Sequence, residues 1–287
     1  MPATINTNLN SLNAQRALSM SQQSLSTSMA RLSSGLRVNS AKDDAAGLAI
    51  AERMSAQVRG MNVAIRNAND GISYAQVAEG ALSKVSDSLQ RMRELAIQSR
   101  NVTNTAKDQG SLQNEFGQLQ SEMTRVLDGT TFNGSTIFNQ TGALDFQVGA
   151  GTSTNDRVTI TQAAPLNADA TLTVVTAAAA VIGDTTGAVL TAGTAIDAVI
   201  NSIDTALDTI NQQRSIWGST QNRFDAVVSS LQVSVENQSA ARSRIMDADF
   251  AAETAAMSRA NILQQAGNAM VAQANQLPQQ VLALLRQ

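Results

Sequence analysis

Apolar and small residues recur in alternating steps of four and three along much of this 287-residue chain. In residues 54–99 the stripe runs from Met54 to Ser99, with one shortened step between Ala75 and Ala78. Such a heptad-like repeat places one face of a helix against a partner helix and predicts a coiled-coil-like element. A helix of that length would measure about 69 Å, whereas a compact chain would be roughly 50 Å across. We therefore predict an elongated molecule.

The same periodicity predicts helices elsewhere. Two of them span residues 112–126 and 196–235. An N-terminal arm carries a stripe at Leu18, Leu25, Met29, Leu32 and Leu36. A C-terminal arm carries a longer stripe at Ala256, Ala260, Leu263, Gly267, Met270, Ala274, Leu277, Val281 and Leu284. Pro278 lies in this arm and could bend it, although the stripe keeps its phase there.

A β-containing region interrupts the helices. Asn133-Gly134 is a hairpin signal, and Leu144, Phe146 and Val148 alternate as in a strand, as do Val158 and Ile160. Residues 150–195 are rich in Ala, Thr and Gly and show little helical periodicity, so we predict a small, irregular β-containing insert. The fold class expected is mainly α with a small β-containing region: an elongated, coiled-coil-like helical rod whose termini pair as helical arms.

The two arms predict an assembly. Antiparallel arms would bury one stripe each, but an isolated helix pair is marginal in water. The first 42 residues and residues 254–287 contain no acidic side chain, and such sparse charge indicates that both ends are buried together. Leu282 and Leu285 lie off the C-terminal stripe and are expected to face other copies. The chain is therefore predicted to be a subunit of a homo-oligomer.

Composition excludes several functions. The chain has no histidine and no cysteine, so Ser–His–Asp triads, thiolate nucleophiles and thiolate zinc sites are impossible. The adjacent Asp43 and Asp44 favour charge at a helix N-terminus over catalysis. We expect no cofactor and no enzymatic activity. Residues 1–40 and 254–287 carry five arginines and no lysine, which is too sparse a pattern for binding nucleic acid. No apolar run is long enough to span a membrane.

Several long motifs, in order along the chain, resemble bacterial flagellin, the subunit of the flagellar filament. They include LSSGLRVNSAKDDAAGLAIAERM at 32–54, NDGISYAQVAEGAL at 69–82, QRMRELAIQ at 90–98, TFNG at 131–134 and NQLPQQVLALLRQ at 275–287. The resemblance covers roughly residues 1–140 and 195–287. The middle of the chain matches nothing that we can name.

The resemblance implies three domains. Residues 1–40 and 248–287 would form an inner terminal-helix domain at the filament core. Residues 41–142 and 195–247 would form a rod-like helical domain with a β-hairpin, and residues 143–194 a variable β-containing insert. The implied function is a structural subunit that self-assembles into the extracellular filament for swimming. The start of the chain lacks the pattern of a cleaved signal peptide. The implied partners are an export chaperone, the flagellar type III export apparatus, and the filament cap and junction proteins.

The resemblance also assigns contact residues. In QRMRELAIQ, Arg91 and Leu95 match the principal positions through which flagellins contact neighbouring subunits and a host Toll-like receptor. The surrounding positions are Gln90, Arg93, Glu94, Ile97, Gln98 and, less directly, Glu115 on the next helix. The residues expected to act in polymerisation are Leu18, Leu25, Leu32, Leu263, Met270, Leu277, Val281, Leu282, Leu284 and Leu285. From the pattern alone, 90–98 could instead be an ordinary helix with Arg91 and Arg93 solvated.

Three alternatives stay open at the level of sequence. A hook–filament junction protein shares the plan of terminal helices, although NQLPQQVLALLR favours flagellin. The cytoplasmic signalling rod of a chemoreceptor would also carry Ala/Gln-rich heptads, but it predicts a continuous hairpin without a β-containing insert. Some flagellins carry a peptidase in the variable region, but without histidine an HExxH site cannot form here.

Overall fold

A computed structural model describes residues 7–162, 165–177, 180–183 and 193–284. Contacts divide the chain into two compact units, one containing residues up to Val58 and from Glu236 onward, the other Arg59–Val235. The domain bounds given above stay predictions. The helices in the described residues are α1 (Leu9–Ser34), α2 (Ala45–Ser99), α3 (Ala106–Gly129), α4 (Ala170–Thr176), α5 (Gly193–Met246) and α6 (Phe250–Leu284). The strands are β1 (Thr131–Phe132), β2 (Ser135–Thr136), β3 (Gly142–Gln147) and β4 (Arg157–Gln162).

The first unit pairs the two arms, as predicted. Helix α1 packs along α6. The start of α1 is joined to the distal part of α6 by Asn8 Nδ2, which donates to the Ala274 carbonyl oxygen at 2.7 Å. Near the other end, Arg31 Nη1 lies 3.9 Å from Glu253 Oε1. The helices are therefore antiparallel.

Helix α1 ends before Leu36, contrary to the prediction that the helical stripe continues to that residue. Gly35 adopts a φ of +70° and its N–H donates to the Arg31 carbonyl, a helix stop that favours glycine because it has no Cβ. Leu36 then forms an isolated antiparallel bridge with Asp247. It packs against a small apolar cluster of Val38, Ala51 and Met246.

Asp43 and Asp44 precede α2 and organise its start. Asp44 Oδ1 accepts a hydrogen bond from the Gly47 N–H at 2.8 Å, which is the N-cap interaction. Asp43 Oδ2 accepts from the N–H groups of Asn39 and Ser40. Both carboxylates thus accept hydrogen bonds from backbone N–H groups of the same chain. The interpretation of Asp43 and Asp44 as charge at a helix N-terminus is confirmed.

The second unit is built around the apolar face of α2. The predicted seam is buried from Ala75 through Ala78, Leu82, Val85 and Leu89 and onward to Ser99. Side chains from α3, α5 and the β-region complete this core. Tyr74 of α2 packs edge-on against Phe132 and Phe146 at ring-centroid distances of 5.4 and 5.9 Å. The few aromatic residues in the chain are thus concentrated where the strands meet the helices.

The predicted Asn-Gly hairpin and the two predicted strand segments are present. In the turn of β1–β2, Asn133 and Gly134 have φ values of +50° and +79°, the left-handed conformations that make Asn-Gly favourable there. Strands β3 and β4 pair antiparallel, with Leu144 opposite Ile160 and Phe146 opposite Val158. The alternation read from sequence therefore identifies the strand face that packs on the core.

The segment predicted as an irregular insert also contains the short helix α4, which the sequence pattern missed. Asp169 caps it by accepting from the Thr171 N–H at 2.8 Å, and Leu172 and Val175 are buried. Seven residues are too few to display a helical period. On α3, Gln120 Nε2 donates to the Val175 carbonyl at 2.7 Å. The described part of this segment therefore belongs to the core of the unit.

Gly71 permits a close helix contact, and its replacement tests the packing of this core. A Cβ at Gly71 would lie 2.6 Å from Cζ of Phe224 on α5. We expect Gly71→Ala to lower the free energy of unfolding by roughly 1–3 kcal/mol through overpacking. Gly80→Ala, on the same helix with no atom within 4 Å of the added Cβ, should raise it by about 0.5–1 kcal/mol. Urea titrations of both variants measure the difference, and equal effects would contradict the packing.

The hydrogen bonds to Asp108 at the start of α3 make the stability of the fold depend on pH. Thr105 Oγ1 and N–H both donate to Asp108 Oδ2, at 2.7 and 3.0 Å, and these bonds lower the pKa of Asp108 from its usual 3.8. A carboxyl whose pKa is lower in the folded state stabilises above its unfolded pKa and loses this effect as pH falls through the folded value.

We therefore expect Asp108→Ala to lower the melting temperature at neutral pH and to have a progressively smaller effect as pH falls through the folded pKa of Asp108. Thermal unfolding followed by circular dichroism from about pH 7 to pH 2 tests this. Thr105→Ala removes the hydroxyl donor but keeps the backbone N–H donor, so it should show a weaker pH dependence of the same sign. A destabilisation by Asp108→Ala that is constant across this range would refute the prediction.

Candidate assembly surfaces

The exposed residues of the predicted contact segment lie on one face of helix α2. Gln90, Arg91, Glu94, Ile97 and Gln98 are all exposed. Ile97 leaves 49% of its surface accessible although it is apolar. Together with Glu115 of α3, these residues are called here the contact surface.

Arg91 is held at the centre of the contact surface by two carboxylates. Its Nε donates to Glu115 Oε1 at 2.9 Å, and its Nη1 donates to Glu94 Oε2 at 2.9 Å. The hydrogen bonds to Glu94 and Glu115 raise the pKa of Arg91 above its usual value. Exposed pairs of this kind add little to stability, but they fix the guanidinium in one orientation. Glu115, assigned less directly from sequence, is thereby joined to Arg91.

Arg93 is directed to a different helix. Its guanidinium makes two hydrogen bonds to Asp204 of α5, from Nε at 2.6 Å and from Nη2 at 3.3 Å. This bidentate pair is half-buried and ties α2 to α5. The structure therefore separates Arg93 from the residues grouped around Arg91.

Leu95 is fully buried. It belongs to the same core as Met92 and Ala96, because α2 packs against both α3 and α5 and its buried face is wider than a single seam. Leu95 therefore lies in the core of the subunit, and the exposed apolar side chain of the segment is Ile97. The sequence resemblance alone could not distinguish these two positions.

The paired arms expose much of their stripe. Ala260 and Ala274 are buried between the helices, but Leu263 and Met270 are 52% and 60% exposed. Leu18, Leu25 and Leu32 of α1 are half-buried. The side chains of Leu277, Val281, Leu282 and Leu284, and the whole of Leu285, lie outside the described residues. The predicted mutual burial of the stripes is therefore incomplete at the two bulkiest described positions of α6.

A groove of about 640 Å³ runs between α1 and α6 where these side chains are exposed. It is lined by small residues, including Ala14, Ala266 and Gly267, and by the larger side chains of Leu18 and Met270. At Gly267 an added Cβ would lie 3.2 Å from Leu18 Cδ1, so the glycine allows the helices to approach closely. Such a groove suits an apolar protein segment rather than a polar ligand.

Sequence reasoning missed a second apolar surface on the arms. Leu9, Leu12 and Met20 of α1 are between 49% and 64% exposed, and none of them belongs to the predicted stripe. The available signal was their spacing, which places all three on one side of a helix away from that stripe.

The described residues contain neither a candidate metal cluster nor a candidate membrane span. Among them, no group of three or more acidic side chains could hold a metal ion. Within the same ranges, no helix is both long and apolar enough to cross a bilayer. The features that stand out are the exposed residues of the contact surface on α2 and α3, and the apolar groove of the arms. They belong to a mainly helical protein with exposed apolar side chains.

Comparison with known families agrees with this class. Residues 5–143 match the family model described as the bacterial flagellin N-terminal helical region, and residues 200–285 match the bacterial flagellin C-terminal helical region. The chain is 44% identical to a flagellin of Halalkalibacterium halodurans over 283 residues, covering 98% of this chain and 99% of the relative.

Two further similarities extend the comparison. A protein of Treponema phagedenis named flagellar filament 33 kDa core protein is 38% identical, with coverage of 98% of this chain and 99% of the relative. The crystal structure of Bacillus cereus flagellin matches with a TM-score of 0.46 at 29% identity, covering 58% of this chain and 88% of that one.

The chain belongs to the bacterial flagellin family. It is accordingly a structural subunit of the flagellar filament, which lies outside the cell. The reported relatives are named flagellin or filament core protein, so the hook–filament junction alternative receives no support.

Proposed function

We propose that this subunit polymerises through its terminal arms and its contact surface into the filament that turns as the propeller of a swimming cell. The observation that carries the proposal is the exposure of Leu263 and Met270 in the arms. In a filament subunit, large apolar side chains left in water on a paired helix are expected to be covered by other copies. Leu277, Val281, Leu282, Leu284 and Leu285, whose side chains lie outside the described residues, are also proposed to act in polymerisation.

Polymerisation of the purified chain tests this proposal. Monomer should form filaments on addition of salt or seeds, visible by negative-stain electron microscopy and recovered by sedimentation. A monomer that stays in the supernatant at every concentration, while circular dichroism shows it to be helical, would overturn the proposal.

We further propose that the contact surface binds neighbouring subunits in the filament and a host Toll-like receptor when the subunit is free. An arginine fixed by two carboxylates beside an exposed isoleucine resembles the arginine and apolar anchors found at interface hot spots. The arrangement presents one cation and two anions, so the complementary surface is expected to offer hydrogen-bond donors beside Glu94 and Glu115.

Replacing Arg91 by alanine tests the receptor contact. Loss of a hot-spot arginine costs about 2 kcal/mol or more, so the concentration for half-maximal response of receptor reporter cells should rise at least about tenfold. The matched control is Arg125→Ala, an arginine of α3 that pairs with Glu122 of the same helix at 2.6 Å. Equal responses from the two variants would rule out the contact.

The remaining partners follow the same family relationship. We propose that an export chaperone holds the subunit before secretion through the flagellar type III apparatus, without cleavage of a signal peptide. The growing filament would end at a cap protein and begin at junction proteins. Purification of the secreted subunit and sequencing of its N-terminus would test export without cleavage.

A further inference from the structure

The terminal arms carry two distinct apolar features that are left open in the subunit. One is the groove between α1 and α6 described above. The other is the set of Leu9, Leu12 and Met20 on α1, called here the ridge. With about 100° between successive residues of a helix, the three ridge residues lie about 120–180° around α1 from Leu18 in the groove, whereas Met20 lies next to Asn13, which also lines the groove.

Ridge and groove match in chemistry. Among the described residues that line the groove none is charged, and the polar ones are amides and one hydroxyl: Asn10, Asn13, Gln273 and Ser21. The ridge carries a single cation, Arg16, which is exposed between Leu12 and Met20. The amide oxygens that line the groove can accept hydrogen bonds from this guanidinium. The small residues that line it leave space for the leucine and methionine side chains of the ridge.

We infer that the ridge of one copy enters the groove of another copy in the filament. The inference rests on the proposed polymerisation of the arms and adds which surfaces meet. Because ridge and groove are different surfaces of the same arm, the contact is heterologous. A bound pair therefore leaves a free groove on one copy and a free ridge on the other, and heterologous contacts that do not close into a ring generate open helical polymers. A groove that met another groove would instead give a closed dimer.

Single-cysteine variants can test this pairing, since the natural chain contains no cysteine. Met20→Cys places a thiol on the ridge and Ala266→Cys places one in the groove. The two proteins are mixed, copolymerised and oxidised, so that a ridge–groove disulfide can form only between copies. The matched control replaces Ala266→Cys by Gln265→Cys, the preceding exposed residue on another side of α6.

We expect a disulfide-linked dimer of two 30.1 kDa chains. Its yield should be at least about fivefold higher from the ridge–groove mixture than from the control mixture, because a disulfide needs Cα atoms within roughly 7 Å. Equal yields from the two mixtures, in filaments that form normally, would overturn the ridge–groove pairing but leave polymerisation intact. Failure of the unsubstituted chain to form filaments would count against the proposed function itself.

Accessibility of the groove separates a second copy from another occupant. The thiol of Ala266→Cys should react with a maleimide about tenfold more slowly in filaments than in monomers, since access controls its reactivity. An unchanged rate would show that the groove stays open in the filament and serves a different partner, such as an export chaperone. That result would overturn the inference.

Discussion

Replacing both Leu263 and Met270 by glutamate is expected to abolish filament growth while leaving the subunit folded. Both side chains are more than half exposed in the arms, so their replacement should change the free energy of unfolding by no more than about 1 kcal/mol. In the filament each carboxylate would be buried without a partner, at a cost of several kcal/mol. The critical concentration should therefore rise on the order of 100-fold or more.

Sedimentation of filaments over a range of monomer concentrations measures this effect. Asn261→Glu with Asn268→Glu is the matched control, because these exposed residues have the same seven-residue spacing on another side of α6. It should alter the critical concentration by only a few fold. If the two double variants have the same critical concentration, the exposed Leu263 and Met270 do not lie in a subunit interface.

Replacing Leu95 by aspartate is expected to unfold the second unit rather than to remove a surface contact. The side chain is fully buried in the core, so an aspartate there loses the apolar contacts and buries a carboxyl group. Together these effects should cost roughly 4 kcal/mol or more, a large part of the 5–15 kcal/mol typical of domain stability.

Urea unfolding followed by fluorescence gives a direct measurement, because the chain has one tryptophan, Trp217, and it is buried in the same core. Ile97→Asp on the exposed side of α2 should cost less than about 1 kcal/mol and serves as the control. If the Leu95→Asp variant folded stably but lost subunit or receptor binding, Leu95 would instead be a direct contact residue. The Ile97 variant is thus the cleaner probe of the contact surface.

Local periodicity was enough to predict most of the secondary structure. The seam in α2, the positions of α3 and α5, the Asn-Gly hairpin and the strand alternation of β3 and β4 follow from spacing and turn residues, whereas the pairing of β3 with β4 does not. These signals depend on neighbours only a few residues apart, so no knowledge of the rest of the chain is needed. Helix α4 was missed because seven residues give no period, although its capping residue Asp169 was present.

The sequence by itself determined the helical and hairpin elements, the paired arms, the absence of histidine and cysteine chemistry, and through its motifs the flagellin family. Only the tertiary structure decided which side chains are available for contact. Leu95 is buried and Ile97 exposed because α2 packs against two helices at once, which widens its buried face. Arg93 pairs with Asp204, and Arg91 with Glu115, across distances in sequence that no local pattern records. The groove exists because small residues of α1 and α6 face the same space, which the spacing of either helix alone could not reveal.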